Sequence, residues 1–154
     1  MNKLLIVLAL LAVSQSIHAE EVAVCRGESG YTYFAGYGMV PENKVGWIKD
    51  AIIGGKITVT VTNGKYDLLY ADATGSLVST VQDGGDVIFT SSSPQDMSFV
   101  VLYERATEIY TFWKTKSGKL QYSHLHNKRG QIPTSKAMIG TCSLINFAAV
   151  NVAQ

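Results

Sequence analysis

One segment, residues 56–72, limits the fold more than any other part of the chain. Ile57, Val59 and Val61 alternate with three threonines, and Asn63-Gly64 follows directly. Alternation with a period of two is typical of a half-buried strand, and Asn-Gly suits the positive-φ positions of a tight hairpin turn. The segment therefore predicts an antiparallel β-hairpin.

This turn also determines which residues of the hairpin lie opposite each other. The predicted pairs are Val61 with Tyr66, Val59 with Leu68, Ile57 with Tyr70, and Thr60 with Asp67. The first three pairs share one face of the hairpin because side chains alternate along a strand. That apolar and aromatic face is predicted to point into a core.

A second hairpin is predicted around Ser117-Gly118, which would join residues 108–116 to residues 119–126. A two-residue turn at this position would pair Trp113 with Tyr122, Thr111 with His124, and Ile109 with His126.

Short apolar runs separated by turn residues continue along the chain. Further strands are predicted at residues 31–35, 77–82, 87–90, 99–104 and 135–142, with turns at residues 72–75 and 83–86. Residues 45–53 differ, because Trp47, Ile48, Ala51 and Ile52 would form one face of a short helix. Gly54-Gly55 would end that helix.

Seven to nine short strands predict an all-β fold, with that short helix as the exception. The alternatives are a single small antiparallel β-barrel and a two-layer β-sandwich. Residues 20–154 fit one domain, because a chain of about 135 residues can bury roughly two thirds of its unfolded surface. The uncharged tail, residues 143–154, is predicted to pack on the domain, with partner binding as the alternative.

The N-terminal residues predict export. Residues 1–19 combine Lys3, an apolar run of about ten residues and a small residue, Ala19, which is the pattern of a secretory signal peptide. A bilayer-spanning helix needs about 20 apolar residues, and no membrane span is expected in residues 20–154. The predicted location is the periplasm, with release from the cell as the alternative.

Two cysteines, Cys25 and Cys142, lie near the two ends of the predicted domain. An oxidising compartment favours a disulfide bond between them. Such a bond would make the first and last strands neighbours. Redox activity is not expected, because the cysteines are more than a hundred residues apart and form no Cys-x-x-Cys motif.

Charge argues against nucleic-acid binding. Without Lys3 the 13 basic side chains become 12, which balance the 12 acidic ones. Proteins that bind phosphate backbones usually concentrate basic residues on one face.

The sequence contains no motif of a known catalytic site, and no cofactor is predicted. His124 and His126 are the candidate metal ligands, since an i, i+2 spacing puts both side chains on one face of a strand. The predicted register places Thr111 and Ile109 opposite them. A third ligand from the neighbouring strand is therefore not expected.

Aromatic residues crowd a glycine-spaced stretch near the start of the domain. Tyr31, Tyr33, Phe34 and Tyr37 form a candidate binding surface, because aromatic rings offer a large contact area at low entropic cost. The alternative is that these rings fill the core.

These observations favour a non-enzymatic binding or interaction protein of the periplasm or the exterior. Its partner would be a protein, bound by the aromatic stretch, or a small apolar ligand, bound in a cavity. The alternative is a metal-assisted hydrolase that uses His124 and His126.

Overall fold

The computed structural model describes residues 19–71 and 74–150, and most of these residues lie in nine β-strands. The strands are β1 (Glu20–Phe34), β2 (Gly46–Thr62), β3 (Lys65–Ala71), β4 (Leu77–Ser79), β5 (Asp86–Ser92), β6 (Asp96–Leu102), β7 (Ala106–Lys114), β8 (Leu120–Lys128) and β9 (Thr134–Ile145). Apart from Ala19, the predicted signal peptide lies outside the described residues. Within them, no helix has the length and apolar character needed to cross a membrane.

All nine strands form one antiparallel sheet in the order β4-β3-β2-β1-β9-β8-β7-β6-β5. Strands β1 to β4 and strands β5 to β9 are two meanders, joined where β1 pairs with β9. The sheet curls into a half-barrel, which brings the Tyr66 ring of β3 to 5.6 Å from the Phe89 ring of β5 and 5.2 Å from the Phe99 ring of β6. The all-β prediction is confirmed, and the curled single sheet is closer to the barrel than to the sandwich.

The first hairpin is confirmed in register and in turn chemistry. All four predicted cross-strand pairs are present between β2 and β3. Asn63 and Gly64 have φ values of 50° and 73°, as a two-residue hairpin turn of this kind requires. Val59 and Leu68 are completely buried, so the predicted apolar face is the core face.

The second hairpin is present, but its predicted register is wrong by one residue. Lys114 pairs with Leu120, and the Thr115 N–H donates to the Lys119 carbonyl at 2.8 Å. The loop therefore has three residues, and Gly118 adopts the positive φ that completes such a turn. As a result Phe112, rather than Trp113, lies opposite Tyr122.

The helix predicted at residues 45–53 is also wrong, because this segment begins the long strand β2. Every residue from Gly46 to Ile52 pairs with β1, and this pairing outweighs the helical spacing of the apolar side chains. Trp47 is 61% exposed on the sheet instead of packing in the core. The only helical element among the described residues is a 3-10 turn at Glu42–Lys44.

The predicted disulfide between Cys25 and Cys142 is present, and it links β1 to β9 at a position where the two cysteines pair directly. The first and last strands are therefore neighbours, as predicted. Around this bond lies a core that includes Leu68, Phe99, Phe112 and Tyr122.

The chain after Cys142 packs on the domain as far as the described residues extend. Strand β9 continues to Ile145, and Val150 is completely buried in the core. Residues 151–154 lie outside the described residues. The packing prediction is confirmed for residues 143–150.

Candidate functional site

The concave side of the half-barrel contains a cavity of about 400 Å³. Its walls come from β2 and β3 on one side and from β7 and β8 on the other. Ile57, Ala71 and Ala106 contribute apolar surface, and four tyrosines contribute aromatic surface: Tyr70, Tyr103, Tyr110 and Tyr122. The curl of the sheet creates the cavity, because it brings β2 and β3 to face β7 and β8.

The hydroxyl groups of all four tyrosines are engaged within the protein. Tyr110 donates to Glu108 at 2.8 Å and Tyr122 donates to Glu28 at 3.3 Å. Tyr70 donates to Asp83 at 3.2 Å, and Tyr103 donates to Thr80 at 3.5 Å. The tyrosines are therefore oriented by internal hydrogen bonds, and they offer ring surface to the cavity.

Ionisable side chains gather at one wall of this cavity. Glu108 on β7 lies directly opposite His126 on β8, and His124 follows two residues along on the same face. One ligand atom from each of these three residues lies within 4.8 Å of the other two. His124 is 8% exposed, so the cluster is largely removed from solvent.

A second carboxylate, Glu28 on β1, contacts this cluster from the other side. Its Oε2 lies 3.1 Å from Nδ1 of His124. Because a carboxylate can only accept, Nδ1 of His124 carries the proton in this contact. In the neutral ring, Nε2 then has a lone pair.

A β-bulge brings Glu28 to the concave face. Gly27 has a φ of 55°, and the register of β1 shifts between Arg26 and Glu28 against both neighbouring strands. Simple alternation from the buried Cys25 would turn Glu28 to the outer face. The extra residue of the bulge reverses this, and Glu28 is 7% exposed.

The imidazole rings are also fixed by stacking. The Tyr110 ring lies parallel to the His124 ring at a centroid distance of 4.5 Å. The His126 ring also stacks on the His124 ring, at a centroid distance of 5.8 Å. Neither His124 Nε2 nor His126 Nε2 has a hydrogen-bond partner among residues 19–71 and 74–150. Unsatisfied buried polar atoms are rare and costly in folded proteins.

Burial changes the proton affinity of several groups around the cavity. Desolvation, reinforced by His124 and by Lys136, lowers the pKa of His126 to about 4. Desolvation and the neighbouring Glu108 raise the pKa of Tyr110 well above its usual value. Tyr110 is therefore a neutral hydrogen-bond donor to Glu108 at physiological pH.

The predicted aromatic surface is only partly assembled. Tyr31 and Tyr37 are 54% and 56% exposed, whereas Tyr33 and Phe34 are half-buried. The Tyr33 ring packs against the Trp47 ring of the neighbouring strand in a tilted arrangement, with a centroid distance of 5.3 Å. These residues lie outside the cavity wall that holds the histidines, so the two candidate sites are separate.

The sequence-based register missed Glu108 as a neighbour of the histidines. Thr111 and Ile109 were predicted opposite His124 and His126, but Tyr110 and Glu108 occupy those positions. Gly118 is the signal that identifies the correct register, because glycine at the third position favours a three-residue loop. The prediction that the neighbouring strand offers no side chain able to serve as a third ligand is therefore wrong.

No family model, curated protein or solved structure matches this chain. The chemistry of the site thus follows from its own geometry. Two imidazoles and a carboxylate suit a transition-metal ion, while the aromatic walls suit an apolar molecule.

Proposed function

We propose that the protein is an exported binding protein, located in the periplasm or outside the cell, that holds a small, mainly apolar molecule in the half-barrel cavity. The observation that carries this proposal is the cavity of about 400 Å³ with its four tyrosines. Its volume falls within the range of small-molecule sites, roughly 300 to 1,000 Å³. The disulfide between Cys25 and Cys142 is compatible with an oxidising compartment.

The polar groups of the cavity support an apolar or aromatic ligand over a charged one. Three acidic residues, Glu28, Asp83 and Glu108, face three basic residues, Lys56, Arg105 and Lys128, so the lining has no excess charge. Because the tyrosine hydroxyls already have partners, a ligand gains mainly ring contacts and apolar burial.

Filling the cavity is expected to abolish ligand binding. The neutral dye N-phenyl-1-naphthylamine, which fluoresces in apolar surroundings, should bind the unaltered protein and raise its melting temperature. Ala106→Trp places a large ring in the cavity and should remove both effects, because Ala106 lines the cavity. Dye fluorescence and thermal melts measure the outcome.

Leu125→Trp is the matched control, because Leu125 lies on the outer face of the same hairpin and is 45% exposed. This variant should bind the dye as the unaltered protein does. Equal binding by both tryptophan variants would place the dye elsewhere and would contradict the proposal. Native mass spectrometry of protein purified without denaturation then identifies a retained natural ligand by its mass.

A second candidate is surface recognition of a partner protein, and one observation favours it. Tyr31, Tyr33 and Trp47 lie on adjacent strands with Tyr31 and Trp47 exposed, and exposed aromatic residues are common at binding hot spots. Trp47→Ala should lower the affinity for a protein partner without changing dye binding. A dye-binding defect in Trp47→Ala would contradict separate sites.

The catalytic alternative is a metal-assisted hydrolase that uses His124 and His126. Removing metal with a chelator, or replacing both histidines with alanine, should then abolish hydrolysis while the domain stays folded. Unchanged hydrolysis after either treatment would reject this alternative.

A further inference from the structure

The wall of the cavity carries a set of side chains whose arrangement goes beyond apolar binding. Glu108, His124 and His126 come from two paired strands, and strand alternation directs all three to the concave face. Their ligand atoms lie within 4.8 Å of one another. A tetrahedral zinc ion, with ligands at about 2.0 to 2.1 Å, holds its ligand atoms about 3.3 Å apart. The ligand atoms therefore have to approach one another by up to about 1.5 Å to reach that geometry.

Buried ring nitrogens indicate that the cluster accepts an ion. Nε2 of His124 and Nε2 of His126 are both buried without a hydrogen-bond partner in the described part of the chain. His124 is also more than nine-tenths buried, so water does not solvate its ring freely. A metal ion between the two nitrogens and the Glu108 carboxylate would satisfy both.

The surrounding contacts match those of metal-binding histidines in general. Such a histidine usually donates its second ring N–H to a carboxylate, which fixes the tautomer and orients the ring. Glu28 holds this position against His124 Nδ1 at 3.1 Å. The Tyr110 hydroxyl donates to Oε2 of Glu108 at 2.8 Å, which orients that carboxylate, and the same oxygen lies 4.0 Å from Nε2 of His124.

Charge favours a cation at this wall. Glu28 is buried and the Glu108 side chain is 14% exposed, and the basic residue paired with His126 across the strands is Lys136. Lys136 is engaged elsewhere, since its Nζ lies 3.5 Å from Asp50. The two carboxylates are therefore the charged groups closest to the His124 ring, within a cavity whose lining as a whole has no excess charge.

We infer that Glu108, His124 and His126 form a binding site for a divalent first-row transition-metal ion, with His124 and His126 coordinating through Nε2 and Glu108 through its carboxylate. Glu28 is a positioning residue that acts through His124. All three ligands line the cavity, so the remaining coordination position faces the cavity and can accept water or a donor atom of a ligand. Zn²⁺ fits this ligand set, and other ions of the series bind the same donors.

Zinc and cobalt titrations of the metal-free protein test this inference without any organic ligand. Isothermal calorimetry should show one Zn²⁺ ion per chain, and Co²⁺ should give visible absorption bands of low-symmetry coordination. Glu108→Gln and His126→Ala should each weaken Zn²⁺ binding by at least about 100-fold. Loss of a residue that only positions a ligand typically costs about 10- to 100-fold. Glu28→Gln should weaken it by about 10-fold and keep one ion per chain.

Glu104→Gln is the matched control, because Glu104 is a carboxylate four residues before Glu108 whose side chain is 88% exposed. This variant should bind Zn²⁺ like the unaltered protein. Absence of saturable Zn²⁺ binding by the unaltered protein, or equal affinity in Glu104→Gln and Glu108→Gln, would overturn the inference.

Imidazole ¹⁵N spectra of the unaltered protein provide a second test that needs no variant. Zn²⁺ should shift the Nε2 resonances of His124 and His126, and the Nδ1 resonances should show that both Nδ1 atoms remain protonated. Coordination through Nδ1, or an unchanged spectrum, would overturn the assigned site. Dye binding to the metal-free protein is measured separately, so loss of the metal site and loss of the cavity function are distinguishable.

Discussion

Removing the disulfide is expected to lower the free energy of unfolding by about 4 to 5 kcal/mol. In the chain-entropy account, a cross-link across more than a hundred residues restricts the unfolded chain strongly, and this range follows from its length. Cys25→Ala/Cys142→Ala is the variant to use, because Cys25 is fully buried and a serine there would bury a hydroxyl group. Urea unfolding of the oxidised protein and of this variant measures the difference.

Reduction of the unaltered protein is the control for this experiment. The reduced protein retains both sulfur atoms, so it separates the effect of the cross-link from the effect of lost side-chain packing. The reduced protein and the double-alanine variant should both unfold at a much lower urea concentration than the oxidised protein. An unchanged midpoint after complete reduction would show that the bond contributes little to stability.

A methyl group at Gly140 is expected to destabilise the domain by about 3 kcal/mol. A Cβ at this position would overlap the Tyr122 ring and the carbonyl oxygen of Gly27. Gly140 pairs with Glu28 on β1 and with Tyr122 on β8, so the clash falls between the two meanders. Gly140→Ala should lower the thermal midpoint and also weaken Zn²⁺ binding, because Tyr122 and Glu28 must move.

Gly36→Ala is the matched substitution at a position where the added methyl group meets no clash. A Cβ at Gly36 would lie 3.5 Å from the nearest atom of Val45, which is an ordinary contact, and the position does not require a positive φ. This variant should have the stability of the unaltered protein or slightly more, because alanine restricts the unfolded chain. Equal destabilisation by the two alanines would show that the close packing at Gly140 is not the cause.

Local sequence signals predicted the elements that depend on neighbouring residues. Asn63-Gly64 determined the turn, the register and the buried face of the β2–β3 hairpin, because a two-residue turn allows one pairing. Ser117-Gly118 left one residue of freedom, and the three-residue loop changed every partner of His124 and His126. A one-residue shift in register was enough to conceal Glu108.

Features that depend on pairing with strands distant in sequence could not be predicted from local sequence patterns. Residues 45–53 have helical spacing, but pairing with β1 places them in a strand. Glu28 reaches the concave face through the bulge at Gly27, which depends on the strands at both sides of β1. The histidines of the candidate site were thus found from sequence, whereas Glu108 required the correct register of the hairpin and Glu28 required the three-dimensional arrangement.

The central position of β1 has a consequence for how the domain assembles. Strand β1 can pair with β2 as soon as both are present, whereas its other edge must wait for β9, the last strand in the chain. Within each meander the pairings are local, and the β1–β9 pairing carries the largest loop-closure entropy, so we expect it to form late in folding. Glu28 and His124 lie on opposite sides of this junction. The three proposed metal ligands lie within the β7–β8 hairpin, so only the contact by which Glu28 positions His124 has to wait until the chain closes.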